Sequence, residues 1–167
     1  SLPALTIRDP FSFEFLGLRP EAFTENDLEN ALIGHLQEFL LEMGKGFCFE
    51  ARQKRMIIDD EYYFADLVFY NRILHCNVII ELKAVKFIPE FVGKLNFYVT
   101  AADKLLRTEE QNPSVGLLIC KTAKQTIVEW SLQDINKPLG VATYQLQEVV
   151  DRTIAEVEQR RKSADDN

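Results

Sequence analysis

The chain has 167 residues, enough for one domain with a hydrophobic core. Hydrophobic residues make up 47% and charged residues 27%, the mixture of an ordinary soluble globular protein. No apolar run approaches the roughly 20 residues that a transmembrane helix needs, and no signal peptide is recognisable, so we expect no membrane partner. The net charge of −7 argues against tight non-specific binding of DNA by this chain alone.

The charge is unevenly distributed. From Lys45 to Lys94 there are eight basic and seven acidic residues, whereas the rest of the chain has eleven basic and nineteen acidic residues. Any contact with a phosphate backbone is therefore expected in the middle third, with help from metal ions.

The cysteines are Cys48, Cys76 and Cys120, far apart and without a CxxC pair. This odd, scattered set argues against a disulfide framework and against a cysteine-rich zinc site. We expect buried or half-buried thiols and a cytoplasmic location.

Taken in chain order, the first predicted unit is an N-terminal arm over residues 1–23, punctuated by prolines. Thr24 is the expected N-cap of a helix running to about Met43, because apolar residues then recur at three- and four-residue steps. Gly44 and Gly46 should end this helix.

Further elements follow from alternation, turn residues and helical periodicity. We predict strands at Phe47–Ile58, Tyr62–Tyr70, Cys76–Val85, Ser114–Cys120 and Thr126–Leu132, and helices at Pro89–Leu106 and Tyr144–Lys162, with a frayed tail at 163–167. The domain core is placed at 24–146, followed by a C-terminal helix and tail at 147–167. This order predicts an α/β fold with a mixed sheet flanked by helices.

Two carboxylates lie within apolar strands. Asp66 falls between Tyr62 and Tyr70, and Glu81 lies in a run that begins Val78-Ile79-Ile80. An ionised carboxylate in an interior strand is costly unless it is paired or binds a metal.

The spacing predicts that these carboxylates meet. A hairpin centred between Ile73 and Leu74 places Asp66 opposite Glu81, with Cβ atoms about 5 Å apart. Lys83, two residues beyond Glu81, projects from the same face. Such a patch suits Mg²⁺ or Mn²⁺ and the hydrolysis of a phosphodiester, with the lysine stabilising negative charge. A buried salt-bridge cluster is the alternative.

The same residues resemble a known family. Asp66, fourteen intervening residues and Glu81-Leu82-Lys83 are similar to the signature of the PD-(D/E)xK nucleases, and the chain most resembles their YhcG-type family. The similar segments are 66–71, 80–83, 93–98, 112–121 and 135–141, within a likeness that spans about Phe11 to Leu146.

This resemblance implies a restriction-endonuclease-like core of helix, three strands, helix and strand. It also implies that Asp66, Glu81 and the backbone carbonyl of Leu82 are metal ligands, that Lys83 is catalytic, and that Glu29 is a further candidate ligand; a solvated helix carboxylate is the other interpretation of Glu29. The residues that it suggests for nucleic-acid contacts are Arg52, Gln53, Lys54 and Lys94; an ordinary exposed strand face is the alternative for the first three.

The remaining polar and aromatic candidates are less informative. His35 and His75 are isolated, which favours structural or solvated roles. Trp130, on the strand predicted at 126–132, is expected in the core rather than on a base-stacking surface.

Three functions therefore compete. The leading one is an Mg²⁺- or Mn²⁺-dependent nuclease acting on DNA; the others are an RNA nuclease and a non-catalytic nuclease-fold module that binds protein or nucleic acid. YhcG-type proteins often carry a separate N-terminal targeting region, and the predicted C-terminal helix could support a homodimer.

Overall fold

The computed structural model describes residues 12–14, 25–145, 159–160 and 162–165. Its elements are β1 (Ser12–Glu14), α1 (Glu25–Met43), β2 (Phe47–Ile58), β3 (Glu61–Asn71), β4 (Cys76–Lys86), α2 (Glu90–Leu105), β5 (Val115–Thr122), α3 (Gln125–Leu132) and β6 (Leu139–Gln145). None of the helices in this part of the chain is long and apolar enough to cross a membrane.

The strands form one mixed sheet with the order β1-β6-β5-β4-β3-β2. Strands β2, β3 and β4 pair in antiparallel fashion, and the pairs β4–β5, β5–β6 and β1–β6 are parallel. The predicted mixed sheet with flanking helices is therefore confirmed, as is the order helix, three strands, helix, strand for its core.

Two hydrophobic clusters cover the two faces of this sheet. One contains α1 together with Val78, Ile80 and Leu82 of β4, and the other contains α2 and α3 together with Ile79. The alternation along β4 explains this division, because successive side chains of a strand point to opposite faces. Being covered on both sides, β4 is buried along almost its whole length, including at Glu81.

The hairpin register predicted from the spacing is confirmed. Leu67 pairs with Ile80 and Asn71 with Cys76, which is the pairing that a midpoint between Ile73 and Leu74 requires. Asn71 closes the turn, since its Oδ1 accepts hydrogen bonds from the backbone N–H groups of Ile73 and Leu74.

The strand predicted at Thr126–Leu132 is wrong, because residues 125–132 form helix α3. Its β-branched residues suggested a strand, but Val128 and Leu132, four positions apart, are the ones buried. That spacing is helical. Trp130 points away from the core with 73% of its surface exposed, so the expectation of a core tryptophan is also wrong.

Strand β6 was not predicted. Tyr144 and Gln145, assigned in the sequence to the start of a helix, belong to β6 instead. Residues 146–158 lie outside the described residues, and 159–160 and 162–165 are helical, which includes part of the tail predicted to fray. Within the arm, only 12–14 is described, as β1; Thr24 lies outside the described residues.

All three cysteines are free thiols, as expected. Cys76 and Cys120 are buried, whereas Cys48 is exposed, contrary to the prediction. Cys48 lies on β2, the outermost strand of the sheet at this side, so its side chain meets solvent.

Candidate active site

The sheet forks at the position of the two buried-strand carboxylates. The β3–β4 ladder ends at Leu67 and Ile80, yet β3 continues to Glu61 as the partner of β2, and β4 continues to Lys86 as the partner of β5. Strands β2 and β3 stay paired with each other and separate together from β4. The separation begins one residue beyond the last β3–β4 pair, at Asp66 and Glu81. We call this point the fork.

Asp66 is held by two hydrogen bonds at the fork. Its Oδ2 accepts from the backbone N–H of Leu82 at 2.8 Å, and its Oδ1 accepts from Nε2 of Gln53 at 3.0 Å. Beyond the end of the β3–β4 pairing, the N–H group of Leu82 has no backbone partner on β3, and Oδ2 of Asp66 accepts its hydrogen bond instead. Both oxygens of the carboxylate are thereby fixed in direction.

Glu81 is the most unusual group of the site. Its side chain is only 2% exposed, and its Oε1 is buried without a hydrogen-bond partner. Burial, the neighbouring charge of Asp66 and a hydrogen bond between the two carboxyl groups raise the pKa of Glu81 to about 9. Lys94 and a hydrogen bond from the backbone of Asp66 act in the opposite direction on this pKa. The pair therefore holds a proton at neutral pH in the absence of another positive charge.

Two lysines border the carboxylates. Lys83 is half-buried and its Nζ lies 5.8 Å from the centre of the Phe91 ring, so its ammonium group is directed towards α2. Lys94 stands on α2, with its Nζ 5.5 Å from the centre of the Tyr98 ring. The positive charge of Lys94 lowers the pKa of Glu81. Strands β3 and β4 and helix α2 thus all contribute side chains to the candidate site.

Glu29 approaches the fork from α1. Its Oε1 accepts a hydrogen bond from the backbone N–H of Ala84 at 3.2 Å. The carboxylate thus satisfies a second β4 N–H group beyond the fork, as Asp66 does for Leu82. A metal-ligand role for Glu29 stays a prediction.

The four residues 52–55, proposed for phosphate contacts or adjoining them, take different positions. Arg52 donates through Nη2 to the carbonyl oxygen of Asn30 on α1 at 2.8 Å. Gln53 binds Asp66, while Lys54 is half-buried and Arg55 is exposed. Gln53 also has a φ of 51°, a left-handed conformation uncommon in a strand. The sequence drew attention to Gln53 but gave no sign of its contact with Asp66.

Tyr98 is a site residue that the sequence did not identify. Its pKa is raised by burial and by the nearby charges of Glu81 and Asp66, despite a hydrogen bond with the backbone of Phe64. The available signal was its position four residues after Lys94, which puts both side chains on one side of the helix.

The carboxylates fit a divalent cation. An unpartnered oxygen of Glu81, buried beside a second carboxylate, is a donor set that a hard cation satisfies. Among the described residues, no group of three or more His, Cys, Asp or Glu side chains could hold a metal ion. Two carboxylates with further oxygens from backbone, water and substrate phosphate is a mode that Mg²⁺ commonly uses.

Comparison with known families identifies strong sequence similarity. A family model described as the YhcG PDDEXK nuclease domain matches residues 4–160. The chain is also 38% identical over 146 residues to a protein of Escherichia coli (strain K12) named "Putative nuclease YhcG". That match covers 87% of this chain but 39% of the relative, so the chain spans about two fifths of the relative's length.

Comparison with solved structures concerns the fold. The structure titled "Structure of EndoMS-dsDNA2 complex" superimposes with a TM-score of 0.50 and 18% identity, covering 77% of this chain and 47% of that one. A repair endonuclease from Pyrococcus abyssi gives a TM-score of 0.47 and 17% identity, covering 79% of this chain and 50% of that chain. The expected restriction-endonuclease-like arrangement of sheet and helices is confirmed by the first of these likenesses.

Proposed function

Since the chain belongs to the YhcG PDDEXK nuclease domain family, we propose that the fork is the active site of a metal-dependent nuclease that hydrolyses phosphodiester bonds in DNA. The observation that carries the proposal is the buried, unpartnered oxygen of Glu81 beside Asp66, with Lys83 two residues further along the same strand. A buried carboxylate oxygen without a hydrogen-bond partner destabilises a fold unless a ligand satisfies it.

The proposed roles of the residues are supported by the family resemblance and by their positions around the fork. Asp66, Glu81 and the backbone carbonyl of Leu82 would hold Mg²⁺ or Mn²⁺, with Glu29 as a further candidate. A divalent cation in such a place activates water for attack and neutralises charge on the phosphate. Gln53 and the N–H group of Leu82 keep the carboxylate of Asp66 oriented.

The lysines complement this arrangement. The ammonium group of Lys83 is assigned to stabilise the negative charge that develops on the phosphodiester oxygens. Lys94 offers a second positive charge on α2, suited to a neighbouring phosphate, and Arg52 and Lys54 extend the basic surface along β2.

The decisive experiment compares wild-type protein with Lys83→Ala on plasmid and linear DNA in Mg²⁺ or Mn²⁺. We expect the substitution to lower the cleavage rate by about 100-fold or more, as is typical when one charge-stabilising donor is removed. Lys86→Ala is the matched control, because Lys86 is an exposed lysine on the same strand. Equal cleavage by wild type and Lys83→Ala would refute the proposal.

Two rival functions are tested alongside. An RNA substrate of the same sequence separates a ribonuclease from a deoxyribonuclease. Calorimetric titration with Mn²⁺ separates both from a non-catalytic module: binding that disappears in Asp66→Ala supports the nuclease, whereas a protein that binds no cation supports the module.

The setting of the domain is part of the proposal. The EndoMS structure is titled as a complex with dsDNA, and we extend DNA as a partner to this chain as part of the proposal. The relative is longer, and the acidic balance of this chain suits a protein whose affinity for nucleic acid comes partly from an additional targeting region. A homodimer and a cytoplasmic location remain predictions, the latter supported by three free thiols.

A further inference from the structure

The β2–β3 hairpin extends beyond the fork as a two-stranded ribbon. Past Leu67, β3 pairs with β2 alone, so one face of the ribbon can pack on α2 while the other meets solvent. Met56 and Ala65 are buried in the α2 cluster. On the other face, Tyr62 is 63% exposed and Phe64 is 46% exposed.

This exposed face leads to the candidate active site. Tyr62 and Phe64 occupy alternate positions of β3 and project to the same side of the strand, and Asp66 follows two residues after Phe64, at the fork. Contacts with β2 confirm the arrangement: Gln53 donates to Asp66, Arg55 is paired with Phe64, and the guanidinium of Arg55 lies 5.2 Å from the centre of the Tyr62 ring. We call the set Gln53, Arg55, Tyr62 and Phe64 the aromatic ribbon.

The chemistry of the aromatic ribbon is that of a base-stacking surface. Exposed aromatic rings beside a guanidinium are a combination that proteins use to hold unpaired nucleotides, because each base offers a flat face and each linking phosphate a negative charge. Successive rings lie two residues apart, about 6.6 Å along the strand. The ribbon therefore offers room for two bases next to the carboxylates.

The hairpin tip limits the length of this surface. Asp59, Asp60 and Glu61 follow directly beyond Tyr62 and are exposed, so they repel a phosphate chain. The basic side chains Arg52, Lys54 and Arg55 all lie on the other side of that tip, towards the fork. Charge thus favours a strand that ends or turns away after Tyr62.

We propose that the aromatic ribbon stacks unpaired bases of the strand delivered to the fork, so that the substrate is single-stranded nucleic acid or a duplex with an unpaired end. The inference rests on the proposed nuclease function and specifies its substrate class. A blunt duplex keeps its base faces inside the helical stack, where these rings cannot reach them without unpairing.

Binding measurements with the full chain in EDTA test the proposal without cleavage. The probes are a fluorescent thymidine oligonucleotide of about twelve nucleotides and a blunt duplex of the same length. Tyr62→Ala and Phe64→Ala should each lower the affinity for the single strand about tenfold, while duplex affinity changes less than about twofold. Tyr62→Phe, which keeps the ring, should bind like wild type.

Trp130→Ala is the matched control, because Trp130 is the most exposed large hydrophobic side chain among the described residues and lies on α3. Unchanged single-strand affinity in both alanine variants, or an equal loss on duplex and single strand, would overturn the proposal. So would a change in oligomeric mass without a change in nucleic-acid affinity, since the face would then be a contact between protein copies.

Photocrosslinking of the wild-type chain provides a measurement that needs no variant to fold. A thymidine oligonucleotide carrying 5-iodouracil should crosslink to Tyr62 or Phe64, and crosslinks confined to other residues would contradict the proposal. The nuclease test remains separate. If cleavage requires Lys83 but the Tyr62 and Phe64 variants bind nucleic acid like wild type, only the base-stacking proposal is refuted. Ring-dependent binding without any cleavage refutes only the nuclease.

Discussion

Gln53 contributes to the site through its contact with Asp66 rather than with substrate. Its side-chain amide donates to Oδ1, while the backbone of Leu82 occupies Oδ2. A carboxylate oriented on both oxygens presents its remaining lone pairs in fixed directions. Residues in such supporting positions strengthen metal affinity without touching the metal.

Replacing Gln53 should therefore weaken metal binding. We expect Gln53→Ala to lower the apparent affinity for Mn²⁺ by about tenfold, measured by calorimetry. Gln133→Ala, at an exposed position after α3, serves as the control. Identical Mn²⁺ titrations for Gln53→Ala and wild type would show that the hydrogen bond is not needed to position Asp66.

Glu81 makes the metal-free protein sensitive to pH. Its pKa is raised from 4.5 to about 9 in the folded chain, mainly by burial and then by Asp66, so folding favours the protonated form. A group whose pKa is raised on folding contributes its full stability below the unfolded value, and this contribution declines as pH rises towards the folded value. The window for Glu81 therefore runs from about pH 4.5 to about pH 9.

Glu81→Gln should stabilise the metal-free protein within this window, because an amide of the same shape cannot ionise. At about pH 8 we expect the free energy of unfolding to rise by at least about 2 kcal/mol, since each pH unit between the two pKa values is worth about 1.4 kcal/mol. Near pH 4 the difference should vanish. Urea denaturation in EDTA at both pH values measures it.

The control for this prediction is Glu38→Gln, which removes a charge from an exposed residue of α1. It should change stability little at either pH. A Glu81→Gln protein that is less stable than wild type at pH about 8 would mean that the ionised carboxylate is stabilised in the fold.

At the scale of residues, the sequence predicted the carboxylate pair because strand alternation and a short turn determine which positions face each other. It did not predict the contacts of Gln53 and Tyr98. The first depends on a left-handed residue within a strand, and the second on the distance between α2 and the fork; both arise from packing between elements rather than from local pattern.

Gly116 determines how closely β5 and α2 approach each other. A Cβ atom at this position would lie 2.6 Å from Cγ2 of Val99 and 2.7 Å from Cδ2 of Leu139. The glycine thus lets α2, which carries Lys94 and Tyr98, lie close to the sheet. The position of α2 relative to the fork depends on this contact.

Gly116→Ala should consequently destabilise the fold. We expect a loss of about 1–3 kcal/mol in the free energy of unfolding, the usual effect of overpacking a core. Gly93→Ala is the control, because a Cβ at Gly93 on exposed α2 surface would meet nothing within 4 Å. It should gain about 0.5–1 kcal/mol from better helix propensity. Chemical denaturation distinguishes the two signs.

At the scale of elements, the first helix and the three following strands were predicted almost to the residue because each carries its own periodicity. Helix α3 was taken for a strand because Thr126, Ile127 and Val128 are β-branched, and tertiary packing overrode that preference. Strand β6 was missed because it is stabilised by pairing with β5 and β1, which are distant in sequence.

The whole molecule is acidic, with a net charge of −7. Of the basic residues near the fork, Arg52 donates a hydrogen bond to the carbonyl oxygen of Asn30, and Lys83 is half-buried against Phe91. Few basic side chains near the fork therefore remain to replace the counterions of a nucleic acid. The number of phosphates that this chain contacts should therefore be small.

Salt dependence measures that number. For a thymidine oligonucleotide we expect log Kobs to fall with log salt at a slope no steeper than about −3, given about −0.7 per phosphate contacted on a single strand. Fluorescence anisotropy between about 50 and about 200 mM KCl provides the data. A slope of about −6 or steeper would reveal a basic surface that neither the charge distribution nor the fork accounts for.

The fork has a mechanical consequence. Asp66 and Glu81 belong to diverging parts of one sheet, so a cation held by both would also link the β2–β3 hairpin to the central strands. Loading the site would brace the hairpin, and the exchange of amide hydrogens in residues 61–66 would slow. Conversely, a bound nucleic-acid strand that displaced the hairpin would also displace Asp66 relative to Glu81. Substrate binding would thereby be coupled to the geometry of the two carboxylates.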